Sequence, residues 1–259
     1  MIHPLRPGEE KIFQELCGLE EVFGSRALTA LSLYGLKHPV HRFYLSRDAK
    51  GRADAALHQN GQVLSIVTGG GPDLPELADF VRRLGVTEID STQAQDETLQ
   101  KLLGGEMESS YFMEYPGTAT LPLNQEKICW TTDPKAVYEV LCQSHEYYRD
   151  HLEYQPWAQD LVLRWQKEKA WTVLLWENQR PVGTGSILST SQQAGAIAAV
   201  AVVPDCRGKG YGSAISAWLT NAILKQGKKP VLISGYDEVA ALYRGLGYRE
   251  TGRWGELYL

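Results

Sequence analysis

One stretch constrains this chain more than any other. The run Ala196-Ile197-Ala198-Ala199-Val200-Ala201-Val202-Val203 is followed, after three residues, by Arg207-Gly208-Lys209-Gly210-Tyr211-Gly212. The apolar run reads as a strand buried on both faces. The three alternating glycines lead from it into a helix predicted to reach about Lys225. Glycine lets a backbone approach a phosphate with no Cβ in the way, and a helix N-terminus presents free N–H groups to an anion. Arg207 and Lys209 add positive charge locally, on a chain whose formal net charge is −5.

The surrounding pattern sets the fold class. Upstream, Lys127 to Thr131 reads as a strand, and Asp133-Pro134 opens a helix reaching about His145. Trp157 to Lys169 is a second helical stretch, with Trp157, Leu161, Leu163 and Trp165 close to helical spacing. Two strands follow, Trp171 to Trp176 and Pro181 to Thr190, separated by the turn Glu177-Asn178-Gln179-Arg180. Downstream of the loop come a strand at Val231 to Ser234, a helix at Val239 to Arg244 and a strand from Tyr248. An antiparallel meander that passes into a βαβ unit predicts an α+β (mixed α/β) fold, with a mixed central sheet flanked by helices.

The first half repeats this order more faintly. Its predicted strands are His41 to Ser46, Ala53 to His58 and Gln62 to Thr68. Gly69-Gly70-Gly71 then precedes a helix at Leu74 to Leu84, a strand at Val86 to Asp90 and a short helix ending near Gly104-Gly105. The span from Ile89 to Gly104 is 15 residues and that from Ile233 to Gly247 is 14, which suggests an internal duplication. All seven tryptophans lie at or beyond Trp130, and Tyr115 to Asn124 is rich in Pro, Gly and Thr. These features predict two domains, 1–122 and 123–259.

Composition narrows the functional classes. A pI near 5.7 argues against a general nucleic-acid binder, whose affinity comes from clustered Lys and Arg. Cys17, Cys129, Cys142 and Cys206 form no CxxC pair, and the six histidines form no His/Cys cluster, so free thiols and no structural metal are expected. No apolar run approaches the ~20 residues that cross a bilayer, and Met1 to Arg6 lacks a signal-peptide core; both point to a cytoplasmic protein with no membrane partner. The Walker pattern GxxxxGK[ST] is absent, and a dinucleotide fingerprint is disfavoured because Ser213 stands where its third glycine would be.

The loop and its flank, Val202-Val203-Pro204-Asp205-Cys206-Arg207-Gly208-Lys209-Gly210-Tyr211-Gly212, resemble the signature of the GCN5-related N-acetyltransferases. A second family element is present as Leu242-Tyr243-Arg244-Gly245-Leu246-Gly247-Tyr248, and the wording is similar to the glycine-N-acyltransferase-like branch. The resemblance implies an acyl-CoA-dependent N-acyltransferase, with acetyl-CoA or another short acyl-CoA as co-substrate and no metal. It implies that Arg207, Gly208, Lys209, Gly210, Tyr211, Gly212 and Ser213 hold the pyrophosphate. The backbone of Val202 and Val203 would pair with the pantetheine arm, and Tyr243 would protonate the departing thiolate. Asp237 stands where many relatives have an Asn that contacts CoA; the alternatives are that contact and an N-cap for the helix from Glu238. The first half, with Gly69-Gly70-Gly71-Pro72-Asp73 and no basic residue at the matching point, reads as a degenerate GNAT-like domain that binds no CoA.

The acceptor is a small-molecule amine or a protein N-terminus, and the loops do not choose between them. His145, Glu146, Tyr147, Tyr148, Arg149, Asp150 and His151 fall where the family's acceptor helices lie. Glu177, His145, His151 and Glu153 are the candidate bases, each with an ordinary surface role as its alternative. Two similar domains in one chain would imitate the family's common homodimer, which favours a monomer. The competing readings are a non-catalytic acyl-CoA-binding or interaction module and a nucleotide-binding regulator.

Overall fold

The computed structural model describes residues 1–123 and 127–259; Asn124, the end of the predicted connection, lies outside the described residues. The chain forms two compact units. The first comprises Met1–Met113, Ile233–Asp237 and Glu250–Leu259, and the second Glu114–Leu232 and Glu238–Arg249. Each has the mixed sheet flanked by helices that the sequence predicts. Among the described residues, no helix is long and apolar enough to cross a membrane.

The first unit contains β1 (Ile2–Pro4), α1 (Glu10–Cys17), α2 (Glu21–Tyr34), β2 (His41–Arg47), β3 (Ala53–Asn60), β4 (Val63–Thr68), α3 (Leu74–Leu84), β5 (Glu88–Thr92), α4 (Gln93–Leu103) and β6 (Glu106–Glu114). Strands β1 to β4 pair antiparallel, and β4 pairs parallel with β5. The next strand comes from the far end of the chain: β12 (Arg249–Tyr258) runs antiparallel to β5, with Glu256 opposite Asp90, and β6 lies beyond it. Alternation along the strands sends Leu57, Leu64, Ile66 and Ile89 to one face, where they meet Leu77 and Val81 of α3. Helix α3 starts sharply because the Asp73 carboxylate accepts the Glu76 N–H at 3.0 Å and Pro75 needs no donor partner, and it ends at Gly85 in the left-handed region.

The second unit contains β7 (Ile128–Thr131), α5 (Pro134–Ser144), α6 (Glu146–His151), α7 (Tyr154–Gln166), β8 (Trp171–Glu177), β9 (Arg180–Thr190), β10 (Ala194–Val202), α8 (Tyr211–Leu224), β11 (Lys229–Ser234) as far as Leu232 and α9 (Asp237–Gly245) from Glu238. Strands β7 to β10 form the predicted antiparallel meander, and β10 pairs parallel with β11. With α6 set aside, the element order repeats that of the first half, as a duplication requires. Helix α5 stops one residue short of expectation because His145 is extended, and α6 begins there. Helix α7 starts three residues earlier than predicted, at Tyr154. Helix α8 lies very close to β9, since a Cβ on Gly185 would stand only 2.6 Å from Ile215 Cγ2. That close seating delivers the N-terminus of α8 to the end of β10.

Candidate functional site

Strand β10 is irregular where it approaches the glycine loop. Its pairing with β11 covers Ala194 to Ile197 only, and its register against β9 slips between Ala198 and Ala201. Within that bulge Ala199 has φ +54, a left-handed conformation costing an L-residue roughly 1–2 kcal/mol. Bulges re-aim a strand, and beyond Ile197, among the described residues, β10 leaves its pairing with β11 while it continues against β9. The Val203 N–H donates to Val182 O at 3.0 Å and is committed to β9. Backbone groups of adjacent strand residues face opposite edges, so those of Val202 face away from β9, and its carbonyl accepts Arg207 Nε at 3.3 Å.

Beyond one 3₁₀ turn, Pro204–Cys206, come Gly208 at φ +75 and Gly210 at φ +78. Nothing lies within 4 Å of the point where a Cβ would stand on either, so the space beside each glycine is open. Gly210 is the N-cap of α8 and has no side chain to accept the first-turn N–H groups, and that turn carries no acidic residue. The N–H groups of Tyr211, Gly212 and Ser213 have no acceptor within the helix. A 14-residue helix with a bare N-terminus and an open glycine loop ahead of it fits a pyrophosphate.

The charged side chains of the loop do not point freely outward. Lys209 Nζ donates to both oxygens of Glu177, at 3.0 and 3.1 Å. Tyr211 OH donates to the same carboxylate at 2.7 Å, and the Cys206 thiol at 3.2 Å. The Tyr211 bond, with those of Cys206 and Lys209, holds the Glu177 carboxyl down to about 2. Both Glu177 oxygens are therefore engaged by protein donors. Arg207 Nη2 donates to Ser144 O, where the last turn of α5 leaves carbonyls unsatisfied, and so ties the loop to the segment that enters α6.

Tyr243 lies on α9 and is 5 % exposed, its ring edge-on to Tyr248 at 5.4 Å. Burial raises its phenol to about 12; the nearby Ser216 hydroxyl opposes the shift and Tyr148 adds to it. Ser216 Oγ nevertheless makes no hydrogen bond of ordinary geometry. Within the expected acceptor segment, His145 Nδ1 accepts the Tyr147 N–H at 3.1 Å, so its neutral ring carries the proton on Nε2 and offers no lone pair there. His151 Nδ1 bonds Tyr147 O at 2.9 Å; a carbonyl only accepts, so Nδ1 carries the proton and in the neutral ring Nε2 keeps its lone pair. Glu153 is exposed and makes no side-chain cap for α7.

Asp237 is exposed and opens α9, and it accepts Tyr111 OH at 2.5 Å. Among the described residues, one carboxylate trio, Glu88, Asp90 and Glu256, lies close enough to share a cation; it belongs to the first unit and includes none of the predicted site residues. Glu177 enters the site as the partner of Lys209, Tyr211 and Cys206, a role different from the base the sequence suggested. The Ala199 bulge was not signalled at all, since nothing in an alanine run announces a left-handed residue.

Residues 135–248 match the acetyltransferase (GNAT) family model. Solved structures with this fold include a GCN5-related N-acetyltransferase from Sphaerobacter thermophilus, at 18% identity and a TM-score of 0.67, covering 99% of this chain and 94% of that one. A GNAT-family acetyltransferase from Colwellia psychrerythraea has a TM-score of 0.64 at 13% identity, covering 100% and 99%. A tandem GNAT protein from the clavulanic acid biosynthesis pathway, in a structure without AcCoA, has a TM-score of 0.62 at 12% identity, covering 99% and 97%. No curated protein sequence matches the chain.

Proposed function

Taking residues 135–248 as a GNAT-family domain, we propose that the chain moves an acetyl or other short acyl group from CoA to a primary amine, by direct attack in a ternary complex. The observation that carries this reading is the bare N-terminus of α8 behind Gly208 and Gly210, in the same unit as a buried, protonated Tyr243.

The roles follow from the atoms. Backbone N–H groups of residues 208 to 213 hold the pyrophosphate, with Arg207 and Lys209 shaping the loop through protein contacts. Val202, whose backbone faces away from β9, pairs with the pantetheine arm, while Val203 anchors the strand to β9. Asp237 shapes the start of α9. The amine attacks the thioester carbon, the C–S bond breaks, and Tyr243 gives its proton to the sulfur. A thiolate's conjugate acid lies near ~8.5, so a phenol near 12 needs its proton returned, and the proton released by the attacking amine supplies it. Among the four candidate bases, His151 is the one whose Nε2 stays free in the neutral tautomer. In this reading the catalytic machinery belongs to 123–259, and 1–122 is a GNAT-like domain that binds no CoA.

The test is thiol release from acetyl-CoA with a panel of amines. Release that depends on an amine and falls ~100-fold or more in Tyr243→Phe, with CoA affinity retained, is expected. Saturable CoA binding without release for any amine would favour the non-catalytic module, and unchanged turnover in Tyr243→Phe would remove Tyr243 from its role.

A further inference from the structure

The turn between β8 and β9 has only two central residues, Asn178 at φ +50 and Gln179 at φ +64, both of positive φ as in the two-residue turns whose twist matches that of the flanking strands. The residues on either side of it, Glu177 and Arg180, both reach the glycine loop. Arg180 Nη1 donates to Asp205 Oδ2 at 2.8 Å, just ahead of the loop. Glu177 collects Cys206, Lys209 and Tyr211, one residue before the loop, one inside it and one at the first position of α8. The Glu177 side chain keeps 23 % exposure, and its two oxygens take four contacts from three side chains.

We infer that the β8–β9 turn is a clasp for the cofactor loop and that Glu177 is its positioning residue, acting through Lys209 and Tyr211 on the backbone cradle. The physical need is clear. Gly208 and Gly210 lie in open space and carry no side chain, so the glycines contribute nothing to hold their own conformation. A loop without a clasp would lose that conformational freedom on binding, which weakens affinity. Glu177 also spends the charge of Lys209 within the protein, which leaves the phosphate to backbone N–H groups. The inference rests on the acyltransferase reading, because it assigns Glu177 to the pyrophosphate end of the donor.

The test compares two donors in the full-length protein: acetyl-CoA, and acetyl-pantetheine, which has the same thioester and arm without the nucleotide. In Glu177→Ala, KM for acetyl-CoA should rise about 10-fold or more, the loss expected of a charged hydrogen-bond centre, with kcat little changed. Activity with acetyl-pantetheine should stay at the wild-type level, a selectivity that general damage to the fold would not produce. Glu177→Gln keeps an acceptor for Tyr211 and Lys209 and should recover most of the loss. If Glu177→Ala does not fold, Glu177→Gln and Arg180→Ala carry the same comparison with smaller shifts in the same direction. Equal losses with both donors, or tighter acetyl-CoA binding once Lys209 is released, would overturn the clasp. A wild-type protein that uses neither donor and binds no CoA would instead contradict the acyltransferase reading itself.

Discussion

Two helices in this chain begin in the same place, after the central strand of a mixed sheet, and their N-termini are built for different ends. Helix α8 starts at Gly210, with no side chain over its first N–H groups. Helix α3 starts at Asp73, whose carboxylate accepts the Glu76 N–H at 3.0 Å. The second helix therefore carries its own anion, and a phosphate arriving there would meet a fixed negative charge. Its approach differs as well: a Cβ on Gly69 would lie 2.7 Å from Leu16 and 2.9 Å from Leu19, so the end of β4 is covered by apolar side chains where the loop after β10 is open. Shared topology thus comes with two different helix starts: a carboxylate cap and two leucines at one, bare N–H groups and open space at the other.

The largest expected effect comes from giving α8 the cap that α3 has. Gly210→Asp places a carboxylate at the cradle and should weaken acetyl-CoA binding by ~100-fold, as expected for like charges a few ångströms apart near a surface. Gly210→Asn has the same shape and tolerance of positive φ without the charge, and should lose only about a tenth as much by titration calorimetry. If the two variants behave alike, strain rather than charge separates the helices.

The converse change should be mild. Asp73→Ala removes the α3 cap at a cost of about 1 kcal/mol, read as a lower unfolding midpoint, and creates no CoA site because Leu16 and Leu19 remain. A second equivalent of CoA bound by Asp73→Ala would mean that the cap alone had closed the site.

The smallest effect is a pH slope. Burial raises the Asp96 carboxyl to about 7 in the first unit, against a reference value of 3.8. Asp90 is raised too, by burial and by Glu88 and Glu256. Between those limits the folded state binds more protons than the unfolded chain, so stability falls as pH rises, by at most about 1.4 kcal/mol per pH unit for each group. Glu177, in the second unit, runs the other way: its lowered value contributes stability above the reference value of 4.5 that is lost as pH falls toward 2. Asp96→Asn should flatten the slope between pH 4 and 7 in denaturant titrations; an unchanged slope would assign it to other groups.

The sequence was most legible where one local rule decides the outcome. Asp73-Leu74-Pro75 and Asp133-Pro134 state two helix starts, and strands β8, β9 and β10 follow from apolar runs divided by turns. Less was visible where tertiary contact decides. Helix α2 is capped by Glu20, an uncommon cap, and it buries Ser25 and Thr29 along with its apolar residues, so its periodicity is blurred. Strand β6 carries Glu106, Glu108, Ser109 and Ser110, which local propensity does not favour as a strand. That β12 pairs with β5 is a partnership between residues more than 150 positions apart, and no window of sequence contains it. At the site, the glycine spacing announces the cradle, whereas the Glu177 contacts depend on how a hairpin folds back across it.

The central claim is that the chain has one donor site, at the bare N-terminus of α8. The most direct measurement is the stoichiometry of acetyl-CoA binding to the purified full-length chain by titration calorimetry, repeated with Gly210→Asp. The account predicts one equivalent per chain and loss of that equivalent in the variant. Two equivalents, or one that survives Gly210→Asp undiminished, would contradict it.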